Sequence, residues 1–107
     1  MGVSKAYIFQ PELQLLSVQF HALGHPARLS ILEYLMVYET TTAVELLSWI
    51  PLSQPTLSHH IQVLHRAGFL QSIVKKNKYI LSRDEHTMRF LQTYINEQTL
   101  SRQFKSR

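Results

Sequence analysis

The apolar period of this chain changes at Gly68. Upstream, leucines and other apolar residues recur at three- and four-residue spacing, which puts them on one face of a helix. Downstream, Phe69-Leu70-Gln71-Ser72-Ile73-Val74 and Tyr79-Ile80-Leu81 are β-rich. Between them lie Lys75-Lys76-Asn77-Lys78, with Asn77 suited to a turn that needs positive φ. Helical spacing then resumes. The pattern predicts a mostly α-helical chain with one small β-hairpin, in the order α-α-α-α-β-β-α.

The helix boundaries follow from local chemistry. Residues 10–24 carry Leu13, Leu16, Phe20 and Leu23, and Gly24 marks a C-cap. Pro26 suits a first helical turn, and Leu29, Leu32, Leu35 and Met36 form the next stripe. Thr42 with Glu45 three residues on has capping-box spacing. That third helix runs through the apolar Val44, Leu47 and Trp49 and stops at Pro51. A fourth runs from Ser53 to about Arg66 on Leu57, Ile61 and Leu64, with Leu52 and Leu57 spaced as a hydrophobic staple. Asp84 opens a last helix, to about Phe104, with Met88, Leu91, Tyr94 and Ile95 as its stripe.

Charge adds a second constraint. The formal charge is +4, yet residues 46–83 contain no Asp or Glu. Five of the 11 Lys/Arg (Arg66, Lys75, Lys76, Lys78, Arg83) and three of the six His (His59, His60, His65) fall in that window. The remaining six Lys/Arg face seven acids, so the rest of the chain is close to neutral. An acid-free basic segment of this width suits a phosphate backbone.

The third and fourth helices, joined by Pro51-Leu52, make a helix-turn-helix candidate. Removing the apolar positions of the fourth leaves Gln54, Thr56, Ser58, His59 and Gln62 facing out, with His60 near the edge. Such side chains hydrogen-bond base edges or phosphates, and none repels DNA. Ser53 and the free N–H groups of the helix start suit a phosphate. Lys75, Lys76 and Lys78 form a basic wing tip for the minor groove or flanking backbone. Residues 42–66 are thus read as the helix-turn-helix and 69–82 as the wing of one winged-helix domain spanning 1–107.

The stretch Leu52-Ser53-Gln54-Pro55-Thr56-Leu57-Ser58-His59-His60-Ile61-Gln62-Val63-Leu64-His65-Arg66-Ala67-Gly68-Phe69-Leu70 resembles the recognition-helix signature of ArsR-type winged-helix repressors. Ala22-Leu23-Gly24-His25-Pro26-Ala27-Arg28-Leu29 resembles that family's opening stretch. The resemblance covers roughly residues 15–95. It implies a homodimeric transcriptional regulator whose first and last helices (10–24 and 84–104) build the dimer. By carry-over, Gln54, Thr56, Ser58 and His59 contact bases or phosphates. His60 is partly buried or phosphate-facing, Arg28 is structural before it is a phosphate ligand, and Lys76 and its neighbours are wing contacts.

The departures from the family matter too. Where its metal sensors carry a Cys-x-Cys pair this chain has Thr42 and Val44, and it contains no cysteine. Asp84 and His86 match half of a second family metal site, but no His follows them, and Asp84 reads as an N-cap. No metal or cofactor is expected, and the effector is unknown.

Leu13, Leu16, Phe20, Met88, Leu91, Tyr94 and Ile95 exceed what a small core needs, and Phe104 extends the set. They are the expected dimer interface, since an excess apolar face wants a partner helix. A two-fold dimer would read a palindromic duplex. No Gly-rich phosphate loop or paired carboxylates in an apolar setting support an enzyme. No apolar run is long enough to span a bilayer, and no secretory leader is visible, so a cytoplasmic location is expected. The competing reading is a winged-helix protein–protein module without specific DNA binding. It would call for apolar or acidic residues on the recognition face.

Overall fold

The computed structural model describes residue 5 and residues 8–104, with side chains described through residue 98. The elements are α1 (Pro11–Ala22), α2 (Pro26–Val37), β1 (Thr40–Thr41), α3 (Ala43–Trp49), α4 (Gln54–Arg66), β2 (Leu70–Lys75), β3 (Lys78–Arg83) and α5 (Glu85–Phe104). The expected order holds, with one addition. β1 pairs with β3, so the hairpin becomes a three-stranded antiparallel sheet ordered β1-β3-β2. Two residues show no period, so sequence pattern could not reveal this strand. The side chain of Phe104 and the tail from residue 105 on lie outside the described residues.

Caps fix most boundaries. Thr42 accepts from the Glu45 backbone N–H at 3.2 Å and Ser53 from that of Thr56 at 3.4 Å. Asp84 Oδ1 accepts from the Thr87 N–H at 3.1 Å to start α5. His25 caps α2 through Nδ1, which accepts from the Ala27 N–H at 3.0 Å. Gly68 ends α4 at φ 87°, inside the left-handed region. The Phe69 N–H then reaches the Leu64 carbonyl at 2.9 Å and the Gly68 N–H that of His65 at 3.1 Å, a Schellman closure. Leu64 and Phe69, the two side chains this closure brings together, are both fully buried. Gly24 follows the cap residue of α1 without entering the left-handed region.

The core is assembled from Leu16 and Ala22 of α1, Ile31, Leu32 and Leu35 of α2, Leu46 of α3, Leu57 and Leu64 of α4, Phe69 and Leu70, Leu81 of β3 and Leu91 of α5. Two expected stripes are corrected. In α3 the buried side chain is Leu46, while Val44 and Trp49 are 77% and 65% exposed. In α2 Ile31 is buried and Leu29 and Met36 are exposed. Both helices are apolar on more than one face, and the position of the sheet decides which face turns inward. The staple pair behaves as read: Leu57 is buried and Leu52 packs against the core.

The wing turns tightly. Lys75 pairs with Lys78, and the two residues between them, Lys76 and Asn77, have φ of 52° and 62°. Positive φ at both central positions is the type I′ arrangement, which matches the strand twist. Asn tolerates that region and a β-branched residue does not. Asn77→Val is therefore expected to lower stability by about 1–2 kcal/mol and Asn77→Gly to leave it equal or higher, read as urea midpoints.

Candidate nucleic-acid interface

The outer face of α4 is polar and mostly unengaged. Ser53, Gln54, Thr56, His59 and Gln62 are exposed and Ser58 is half-buried. Ser53 and Thr56 are linked hydroxyl to hydroxyl at 2.9 Å, so part of their capacity is spent on the cap. Gln54, Ser58 and Gln62 have no side-chain hydrogen bond within the chain among the described residues. Their donors and acceptors are open to an incoming partner.

Lys75, Lys76 and Lys78 are exposed at the wing tip. Between the wing and α4 lies a groove of about 380 Å³ lined by Ser58, Gln62, His65, Arg66, Ser72 and Tyr79 among others. Sequence reading missed Arg66 and Tyr79 as groove residues. A signal for Arg66 existed: Ser58, Gln62 and Arg66 are spaced by four, in line along one side of α4. Nothing in sequence showed that the wing would bring Tyr79 to the same groove. Arg83, counted in the basic window, is used internally: it pairs with Glu85 at 2.9 Å and donates to the Leu35 carbonyl at 2.6 Å.

His60 departs from its expected place among the DNA-facing residues. It is 5% exposed and points into the α1–α2 corner. Its Nδ1 lies 3.3 Å from Arg28 Nη1. Arg28 has no acceptor to offer, so Nδ1 accepts and the ring proton sits on Nε2. Arg28 is itself buried, and it donates to the carbonyls of Ala22 at 2.6 Å and His21 at 3.4 Å. Both carbonyls lie at the end of α1, where the helix dipole is negative, and that of His21 also accepts from the Gly24 N–H at 3.0 Å. A buried guanidinium with no carboxylate partner is thus held by a helix end and a neutral imidazole. Arg28 is structural, as the resemblance implied.

The His25 ring packs on His60 with centroids 4.3 Å apart, and His59 sits 5.6 Å away. Burial lowers the His60 pKa below the usual 6.5, and the neighbouring His25, Arg28 and His59 push it further down. The unfolded ring takes its proton near 6.5 and the folded ring only at lower pH. Stability from this group is complete above that value and is lost as pH falls through it toward the folded pKa. Between about pH 7 and pH 5 the wild type should lose more stability than His60→Gln, whose amide oxygen can still accept from Arg28. Equal slopes of unfolding free energy against pH would contradict this.

Asp84 closes the base of the wing. Its carboxylate accepts from Gln71 Nε2 at 2.7 Å as well as from Thr87, and these two bonds hold its pKa below the usual carboxylate value. It acts as an N-cap and strand tie, and no group of three or more metal-ligating side chains occurs among the described residues.

On the opposite side, Leu13, Phe20 and Ile95 are exposed on α1 and α5, and Phe20 meets Tyr94 with ring centroids 6.4 Å apart. Leu16 and Leu91, expected in the dimer interface, are instead 3% and 5% exposed and belong to the chain's own core. Met88 and Tyr94 are half-buried against that core. Phe20, Leu23, Met88, Leu91 and Ile95 line an apolar hollow of about 270 Å³ between α1 and α5.

Comparison with known proteins agrees with this geometry. A helix-turn-helix domain family model matches residues 23–73. An uncharacterised helix-turn-helix-type transcriptional regulator of Methanocaldococcus jannaschii is 34% identical over 53 residues, which span 50% of this chain and 60% of that protein. The crystal structure of Mycobacterium tuberculosis Rv0081 is 31% identical, with 91% of this chain and 100% of that one covered and a TM-score of 0.66. The fold is shared with an ArsR family transcriptional regulator at TM-score 0.79, 20% identity and coverage of 92% and 98%. It is shared too with the homodimeric winged helix-turn-helix DNA-binding domain of a Mycobacterium bovis protein, at TM-score 0.69, 17% identity and coverage of 99% and 98%. The chain thus carries a helix-turn-helix domain, in the winged fold that it shares with ArsR family transcriptional regulators.

Proposed function

We propose that this chain is a sequence-specific, dimeric transcriptional regulator acting on double-stranded DNA in the cytoplasm, most simply as a repressor of a palindromic operator. The carrying observation is the outer face of α4: hydrogen-bonding side chains left open to a partner, flanked by a basic wing and free of acids. Gln54, Thr56, Ser58, His59 and Gln62 enter the major groove. Ser53 at the helix start and Lys75, Lys76 and Lys78 hold phosphates on either side, with Arg66 in the groove between. Residues 42–66 serve as the reading unit and 69–82 as the clamp. The exposed Leu13, Phe20 and Ile95, with Met88 and Tyr94 behind them, seat the partner's matching helices, as the homodimeric M. bovis domain supports. Leu16 and Leu91 contribute from below by shaping the two helices. The fold and family are those of regulators, and no catalytic role is assigned to any residue. No helix among the described residues is long and apolar enough to cross a membrane.

Base reading and phosphate contact are separable. Gln54→Ala or Ser58→Ala should weaken binding to the preferred duplex by about tenfold and leave non-specific binding nearly unchanged, because each removes base-edge hydrogen bonds. Fluorescence anisotropy on the preferred and a scrambled duplex at one salt concentration measures both. An equal loss on the two duplexes would assign these residues to the backbone instead.

The protein-module reading finds no support on α4, where the exposed residues are neither apolar nor acidic.

A further inference from the structure

A second cavity, of about 260 Å³, lies between α2 with the residue after it and the end of α3, and is lined by Ser30, Glu33, Tyr34, Val37, Tyr38 and Trp49. It shares no lining residue with the α4–wing groove or with the α1–α5 hollow. Three of its six lining side chains are aromatic. Tyr34 packs against Tyr38 with centroids 4.7 Å apart and 37° between ring planes, and meets Trp49 edge-on at 5.6 Å and 75°. Tyr34 is half-buried and anchors the group, whereas Tyr38 and Trp49 remain 49% and 65% exposed.

That exposure is not needed for folding. The core residue of α3 is Leu46, and the α2 residues that build the core are Ile31, Leu32 and Leu35. The aromatic group therefore sits beside the core and lines the cavity. The one ionisable acid or base among its lining residues, the tyrosines aside, is the exposed Glu33, and no Lys or Arg lines it. Aromatic faces carry partial negative charge, and a carboxylate at the edge adds a full one. Such a box favours a cation that is weakly hydrated and has an apolar skin. A metal ion or ammonium would lose more hydration than the rings return, and the single carboxylate gives too few ligands for a metal. An anion would be repelled.

We propose that Tyr34, Tyr38 and Trp49, with Glu33, form a binding site for a small organic cation of the quaternary ammonium type. The site is independent of whether the chain binds DNA. Trp49 is the last residue of α3, two positions before the turn into α4, so an occupant there touches the helix-turn-helix at its first helix.

Trp49 is the sole tryptophan of the chain, so its indole N–H gives one assignable NMR signal. The test titrates full-length protein with choline, following that signal, against sodium chloride at matched ionic strength and against 3,3-dimethyl-1-butanol, the neutral isostere of choline. The expected result is a saturable shift with choline at about millimolar midpoint, weakened roughly fivefold or more in Glu33→Gln and absent with the alcohol. Glu33 is exposed and lies outside the core, so its variant keeps the fold; an unchanged thermal midpoint verifies this. No saturable shift beyond the salt control would overturn the proposal. So would equal shifts with choline and the alcohol, which would mark a merely apolar hollow.

Discussion

Arg28→Ala is expected to destabilise the protein by about 3 kcal/mol, one of the largest losses available from a single polar side chain. Arg28 is 7% exposed, and its guanidinium satisfies the carbonyls of Ala22 and His21 and the Nδ1 of His60 together. Its removal strands two acceptors, Ala22 O and His60 Nδ1, in a buried corner. It also removes the cation that opposes the negative end of α1. Arg28→Lys should recover little, because one ammonium cannot span the fork from Ala22 to His60. Urea denaturation of the three proteins at pH 7 gives the comparison. A loss below about 1 kcal/mol would mean that water replaces the guanidinium, and that the corner is wetter than its burial indicates. The variant carries a functional corollary. His60 lies on α4, so the same bond that fills the corner also sets the rotation of the recognition helix against α1 and α2.

The second large effect concerns the wing. Replacing Lys75, Lys76 and Lys78 together by Ala should lower DNA affinity by roughly a hundredfold at physiological salt, with little change in which sequence is preferred. For every phosphate that the variant no longer neutralises, the slope of log affinity against log salt should become shallower by about 0.9. The three lysines are exposed and lie at the far end of the sheet from the core, so stability should hold. Affinity measured at several salt concentrations separates this from a folding defect. A reduced affinity with an unchanged salt slope would show that the wing does not touch phosphate.

Much of this was legible from sequence, for identifiable reasons. The period change at Gly68, the caps at Thr42, Ser53 and Asp84, and the turn at Asn77 are local signals, and each sits where the residue types place it. The exposed face of α4 followed from subtracting its apolar positions. Non-local facts were not legible. β1 is two residues long and exists only because β3 lies beside it. α3 spans seven residues, too few for Val44, Leu47 and Trp49 to be distinguished from Leu46 as the inward set. His60 reads as partly buried or phosphate-facing, and only Arg28, 32 positions away, decides between the two by supplying a buried partner. Leu16 and Leu91 read as surplus apolar surface because sequence does not say how much of α1 and α5 the chain covers for itself. The groove at Arg66 and Tyr79 needs the wing folded back beside α4.

These features converge on one mechanism. The core positions α4, the Arg28–His60 corner fixes its rotation, and the Schellman closure at Gly68 turns the chain straight into the wing. The polar outer face of α4 and the lysines proposed to hold phosphate are thereby carried on adjoining elements. That arrangement supports specific reading of a duplex rather than loose attraction to it.

The most direct test is selection of duplexes from a random-sequence pool by the purified protein, followed by affinity against salt for the winning site. The expected result is an enriched palindrome whose half-sites are about one helical turn apart, bound by two chains, with log affinity falling steeply as log salt rises. A pool with no enriched sequence, bound only weakly and at low salt, would contradict it and move the helix-turn-helix surface to the role of a protein-binding module.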